Sequence, residues 1–230
     1  MAGQGIGDYN VDIVMCIDVT GSMAPVIDEV KKNALSLYGL FKEGMDAEGK
    51  PVDQVRVKVI LFGDYGCDAE PMVESAFFNL PDQESEFKNF VNAIEPTGGG
   101  DIPENALEAI ALALKSNWTT GGSNRRHVVA MFTDAPALSL GERRDCANYP
   151  SDMPADITQL ADWFMNGSQA FTGNYQPTKG RLVCFVPNAE PWTLMDGNWG
   201  SRAWFAYSQA GKGLDNLSMQ QIVDLIVGSC

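Results

Sequence analysis

Residues 11–23 read VDIVMCIDVTGSM. The apolar run over 13–17 suits a strand buried on both faces. It stops at Asp18, and Thr20, Gly21 and Ser22 follow at once. Two chemistries use a strand that ends this way. In one, the aspartate is the nucleophile for a phosphoryl group. In the other, Asp18, Thr20 and Ser22 hold a divalent metal. The rest of the chain has to choose between them.

Outward from this stretch, apolar segments alternate between two periods. Pro25 suits the first turn of a helix, and Val26, Val30, Leu35, Leu37, Leu40 and Phe41 continue it as one apolar stripe. VRVKVILFG (55–63) predicts a second strand, and MVESAFFNL (72–80) an antiparallel neighbour beside it. A capped helix is expected over 81–94. PTGGGDIPEN (96–105) is a loop opening into a helix that carries Leu107, Ile110, Ala111 and Leu114. HVVAMF (127–132) is a further buried strand, ended by TDAPA. A helix over 154–165, strands over 181–186 and 202–208, and a closing helix over 218–228 complete the order. Alternation of this kind predicts an α/β fold: a mostly parallel sheet with helices on both faces. No repeat or linker interrupts it, so one Rossmann-like domain is expected over 1–230, with its core over about 11–228.

Charge narrows the partners. The 230 residues carry 30 acidic and 16 basic side chains, a net −14. That field repels phosphate backbones and anionic lipid heads, so neither nucleic acid nor a membrane surface is expected as a partner. No apolar run approaches the ~20 residues of a membrane span, and MAGQGIGDYN lacks the features of a secretory leader. Five cysteines without C-x-x-C spacing suit a reducing, cytoplasmic compartment.

Ligands of open α/β sheets bind outside the carboxyl ends of the strands. Three polar loops, 18–22, 97–101 and 133–134, are expected there. They offer three carboxylates and several hydroxyls, an oxygen-only set suited to magnesium, calcium or manganese.

DVTGSM resembles the D-x-S-x-S motif of the von Willebrand factor A domain, with threonine in the middle position. FTDAPA resembles that family's later strand ending in aspartate. The resemblance implies a six-stranded sheet with one antiparallel edge strand and a metal-ion-dependent adhesion site. Asp18, Thr20 and Ser22 match the first motif and Asp134 the last. The middle motif departs from the family: five positions before Ala106-Leu107, where a threonine is usual, stands Asp101. Thr97 is the alternative ligand, and Asp64, at the end of the second strand, a possible ligand or supporting residue. The glycine-rich form is similar to bacterial intracellular branches, including tellurite-resistance-type proteins, and to the domain attached to alpha-kinases. It implies a protein-interaction module holding a divalent cation, Mg2+ with Ca2+ or Mn2+ as alternatives, that assembles a bacterial cytoplasmic stress or signalling complex with another protein.

Two other readings stay open. DVTGS also resembles the start of haloacid-dehalogenase-type phosphotransferases, and GDYGCD (63–68) mimics their later metal motif. That motif comes too early, only 46 residues after Asp18 (64 minus 18), and the reading leaves TGGGD and FTDA without a role. No enzyme is expected, since the only histidine, His127, begins a strand and no nucleophile stands beside it. In a metal-free scaffold, each acid or hydroxyl would merely cap a helix or turn. Against that, several carboxylates buried together without a cation are costly. Two longer segments leave the same sheet end, and Arg143, Arg144, Tyr149, Trp192 and Trp199 on them are candidates for a partner-binding rim, with packing of the tryptophans as the alternative.

Overall fold

Strands form where the apolar runs predict them. The computed structural model describes residues 9–34, 36–97, 103–167, 173–212, 214 and 217–230. Its strands are β1 (Tyr9–Asp18), β2 (Val52–Phe62), β3 (Met72–Glu74), β4 (Phe78–Leu80), β5 (Asn124–Phe132), β6 (Gly180–Pro187) and β7 (Ala203–Ser208). The sheet order is β3-β2-β1-β5-β6-β7, with β4 also pairing β2. All the long pairings are parallel.

The edge departs from expectation in one respect. The antiparallel neighbour of β2 is two short strands rather than one. Pairing Ile60 with Glu74 but Val57 with Phe78 requires one extra residue on the edge, which is a β-bulge. Ser75 sits at the break: its amide donates to the Val59 carbonyl, and its hydroxyl accepts from the Val59 amide, both at 2.9 Å. Six lateral places therefore hold seven strands.

The pleat divides the core. Ile13, Met15 and Ile17 face one side of the sheet, Val14 and Cys16 the other. The first side is covered by α1 (Ala24–Asn33), α2 (Leu37–Ala47), α3 (Glu84–Asn92) and α7 (Met219–Ser229). The stripe expected as one helix over 26–41 is thus shared between α1 and α2, and Leu35 lies outside the described residues. The second side is covered by α4 (Ala106–Leu114), α5 (Ile157–Asn166) and α6 (Trp192–Asn198). The segment after β6, expected as a loop, contains α6. Every residue of α4 except Leu112 is buried, because ALEAIALAL is apolar almost all round. No described helix is long and apolar enough to cross a membrane.

The chain leaves β1 to build β2 on one side and later returns to build β5 on the other. The carboxyl ends of β1 and β5 therefore flank a topological switch point. Phe132, the last residue of β5, is buried and stacks on Phe185 with ring centroids 5.0 Å apart. Phe132→Ala should cost about 3–5 kcal/mol of unfolding free energy, read from urea denaturation. A loss below about 1 kcal/mol would show that the strand ends beneath the switch point are not close-packed.

Candidate functional site

Asp18 ends β1 and is buried. Its Oδ1 accepts from the Thr20 amide (2.8 Å) and the Thr20 hydroxyl (2.6 Å), the short local loop that a carboxylate makes at the start of a turn. Its Oδ2 accepts from the Thr133 hydroxyl, one residue past β5, at 2.7 Å. Ser22 opens toward the same loop and donates to Asp134 Oδ1 at 2.9 Å, with the Thr20 and Ser22 hydroxyl oxygens 3.5 Å apart. Asp18, Thr20, Ser22 and Asp134 are thus one hydrogen-bonded constellation across the switch point. Thr133 belongs to it too, tied through its amide to the Phe185 carbonyl of β6 (3.1 Å).

The other predicted residues fare differently. Thr97 reaches the site by its backbone: its amide donates to the Val19 carbonyl at 2.7 Å, and the residue itself is exposed. Asp101 lies outside the described residues. Asp64 is taken by an ion pair. Arg143 Nε and Nη2 each donate to one of its oxygens at 2.8 Å, and this contact holds its carboxyl below the usual carboxylate range. The turn after it is tight: Asp68 Oδ2 accepts from the Asp64 amide (2.8 Å), and a Cβ on Gly63 would stand 2.3 Å from that oxygen.

The expected rim is corrected in the same way. Trp192 and Trp199 are buried, and the Trp192 indole donates to the Ala135 carbonyl at 3.1 Å. Arg143 turns to Asp64, and the Tyr149 hydroxyl donates to Glu108 Oε1 at 2.9 Å. Only Arg144 of the five is exposed. Arg143, Tyr149 and Trp192 fasten the 135–156 segment and α6 to the domain.

Glu104 was not expected in the site. It precedes α4, is 3% exposed, and is bound by its backbone to the loop beyond Asp134, with Glu104 N–H to Pro136 O at 3.2 Å and Leu138 N–H to Glu104 O at 2.8 Å. Its Oε2 is buried without a hydrogen-bond partner. Burial, reinforced by the negative charges of Asp18, Asp68 and Asp64, pushes its carboxyl up to about 8, with Arg143 opposing. Asn105 Nδ2 and Glu108 Oε2, in the same turn, are also buried and unpartnered. Buried polar atoms are rarely left so. The signal for Glu104 was available: an acid directly before a helix apolar on nearly every side has to enter the interior with it.

Every donor in this cluster is oxygen, which fits a hard divalent cation. Among the described residues no group of three or more histidine, cysteine, aspartate or glutamate side chains is arranged to hold a metal ion. The predicted set has only two carboxylates among those residues, Asp18 and Asp134.

The sequence profile of the von Willebrand factor A domain matches residues 12–145, more than half of the chain. The chain belongs to the von Willebrand factor A domain family. Such domains commonly mediate protein–protein interactions. The alpha-protein kinase vwkA of Dictyostelium discoideum is 26% identical over 147 residues, covering 64% of this chain and 22% of the kinase, so this chain matches less than a quarter of that relative. The pilus adhesin SpaC of Lactobacillus rhamnosus GG, in its open conformation, superposes with a TM-score of 0.53 at 12% identity, over 96% of this chain and 30% of the adhesin. Proximal thread matrix protein 1 of the mussel byssus gives 0.51 at 13% identity, over 96% and 48%. At these identities the likeness is one of fold.

The two raised carboxyls set a pH dependence. Burial lifts Asp18 to about 6 against the hydrogen bonds from Thr20 and Thr133, and Glu104 to about 8. Each holds its proton more tightly folded than unfolded, so their contribution to stability is complete below the ordinary carboxylate range of about 4. It is lost as pH rises through those two values. In chelator, unfolding free energy should fall between about pH 5 and pH 8, and Glu104→Gln should flatten the upper part of the fall. Thermal melts across that window that stay level for the wild type would contradict this.

Proposed function

We propose that the chain is a divalent-cation-dependent protein-interaction domain whose ion is held by Asp18, Thr20, Ser22, Asp134 and Asp101, with Thr97 as the alternative to Asp101 and with Glu104 as a buried carboxyl whose charge the ion would offset without being bound by it. The observation that carries this reading is the hydrogen-bonded set of Asp18, Thr20, Ser22 and Asp134 across the switch point, with the buried Oε2 of Glu104 left unpartnered in the adjoining loop. Such an arrangement is costly for a protein without a cation and favourable for one that binds it. The cation would supply positive charge to carboxylates buried at the strand ends. The residues would supply its oxygens and the fixed strand ends. Mg2+ is the proposed ion, with Ca2+ and Mn2+ as alternatives. The cytoplasmic setting rests on cysteine usage and the bacterial one on motif form.

Isothermal calorimetry with each of the three ions tests it. One should bind, Asp18→Ala should abolish the heat, and Glu104→Gln should weaken affinity by about tenfold, which is ~1.4 kcal/mol, with the circular dichroism unchanged. Absence of binding by all three ions would sink the metal reading.

This many carboxylates favour retention of the ion over recruitment of a partner's acidic side chain, because they leave the metal less electrophilic. Asp101→Thr removes one of them. At saturating metal it should bind acetate more tightly than the wild type while holding the ion less tightly. Equal acetate and metal affinities in the two proteins would reduce Asp101 to a helix cap. No phosphotransferase activity is proposed, since both Asp18 oxygens are engaged by threonines and Asp64 by Arg143. A phosphoaspartate or beryllofluoride adduct at Asp18, seen by mass spectrometry, would reverse that.

A further inference from the structure

Away from the strand ends, an apolar trough runs between α5 and α6. It consists of two neighbouring cavities of about 510 and 400 Å3 that share Ile157 and Leu194 in their walls. Met165 and Trp199 line the first and Leu107 and Leu138 the second. Leu194 is 51% exposed. Among the described residues the only other large hydrophobic side chain so exposed is Tyr207, at 41%, and its hydroxyl donates to Asp196. Single exposed leucines are ordinary on protein surfaces. A leucine standing between two apolar cavities is a different feature, since it offers a ridge with a hollow on either side.

The charged groups of the trough have one sign. Asp156 and Asp162 stand on the α5 wall and Glu190 at the entry to α6, all three exposed, and among the described residues no lysine, arginine or histidine lines either cavity. Arg202 bonds back onto the end of α5: Nη2 donates to the Met165 carbonyl at 3.2 Å and the guanidinium lies over the Phe164 ring.

We propose that this trough docks a basic amphipathic helix of a partner protein. Its apolar stripe would straddle Leu194 with one side chain in each cavity, and its flanking lysines or arginines would meet the carboxylates on both walls. A groove between two helices accepts a third by interdigitation of side-chain ridges. Apolar burial supplies the affinity, while the exposed ion pairs set orientation and association rate. Nothing in this contact involves the cation.

The probe is a fluorescein-labelled synthetic helix of about five turns, with leucines along one face and lysines elsewhere, titrated with the full chain by anisotropy. Saturable binding should persist in EDTA. Leu194→Asp, an exposed position that folding tolerates, should weaken it by about tenfold. Asp162→Lys with Glu190→Lys should weaken it and reduce its salt dependence. A peptide of the same composition with its stripe scrambled should bind at least tenfold less tightly, and a leucine/glutamate version should not bind. The proposal is overturned by no saturable binding, by equal binding of the scrambled peptide, or by wild-type affinity in Leu194→Asp. Loss of binding in EDTA would assign the contact to the cation site. Sedimentation showing that Leu194→Asp converts a dimer to a monomer would assign the trough to a second copy of this chain.

Discussion

A buried carboxylate at the end of the central strand is the constraint on which the site end of this domain depends. Asp18 can sit out of water only because Thr20 and Thr133 meet both of its oxygens. An ionised carboxyl without such partners would cost several kcal/mol. The requirement ties three strands together. Thr133 must follow β5 immediately to reach Asp18, and its amide is itself held by the Phe185 carbonyl of β6. On the other side, the Val19 amide donates to the Phe62 carbonyl at the end of β2. Strand ends that hold one carboxylate in this way cannot shift register independently.

The parts of this fold legible in the sequence are those set by local apolar pattern. VDIVMCID and HVVAMF read as two-sided buried strands and form a parallel pair, and their polar exits are joined by the Ser22–Asp134 and Thr133–Asp18 hydrogen bonds. The parts that were not legible depend on contacts between distant segments. The bulge at Ser75 comes from a side-chain hydroxyl standing in the ladder beside Val59, which MVESAFFNL does not announce. The tryptophans after β6 read equally well as interface anchors or as packing. Packing prevails because α6 lies against the sheet and brings the Trp192 indole to Ala135. Glu104 was missed although ALEAIALAL, apolar on nearly every side, follows it closely; α4 is packed against β1, β2 and β5 and carries the acid inward.

The two long segments at the strand ends therefore act as struts. Arg143 reaches back to Asp64 and Tyr149 to Glu108, while Tyr65 and Tyr149 pack with ring centroids 5.3 Å apart. Trp192 fixes α6 to the residue after Asp134. The wall of the α5–α6 trough and the loop carrying Asp134 thus share one rigid attachment, although the trough is apolar and the strand ends are polar. Two surfaces of opposite chemistry held on one frame suit a domain that engages partners through more than one kind of contact.

The acidic side chains at this end fall into two groups, and the division bears on the proposed cation. Asp64 has Arg143, in a bidentate pair strong enough to keep its carboxyl low. Thr20 and Thr133 donate to Asp18 and Ser22 to Asp134, while Glu104 Oε2 is buried without a hydrogen-bond partner. A protein could relieve this by protonating Glu104, and burial already pushes it that way. A second arginine would also relieve it, as Arg143 does a few residues away, but would fill the space between the strand ends. Three hydroxyls around two aspartates instead preserve room and lone pairs. Hydroxyls can turn from donating to a carboxylate to accepting from, or coordinating, whatever positive group arrives. An arginine cannot make that change, because it has no acceptor. The choice of Thr20, Ser22 and Thr133 over a basic residue is thus what would let the proposed cation enter without rebuilding the backbone.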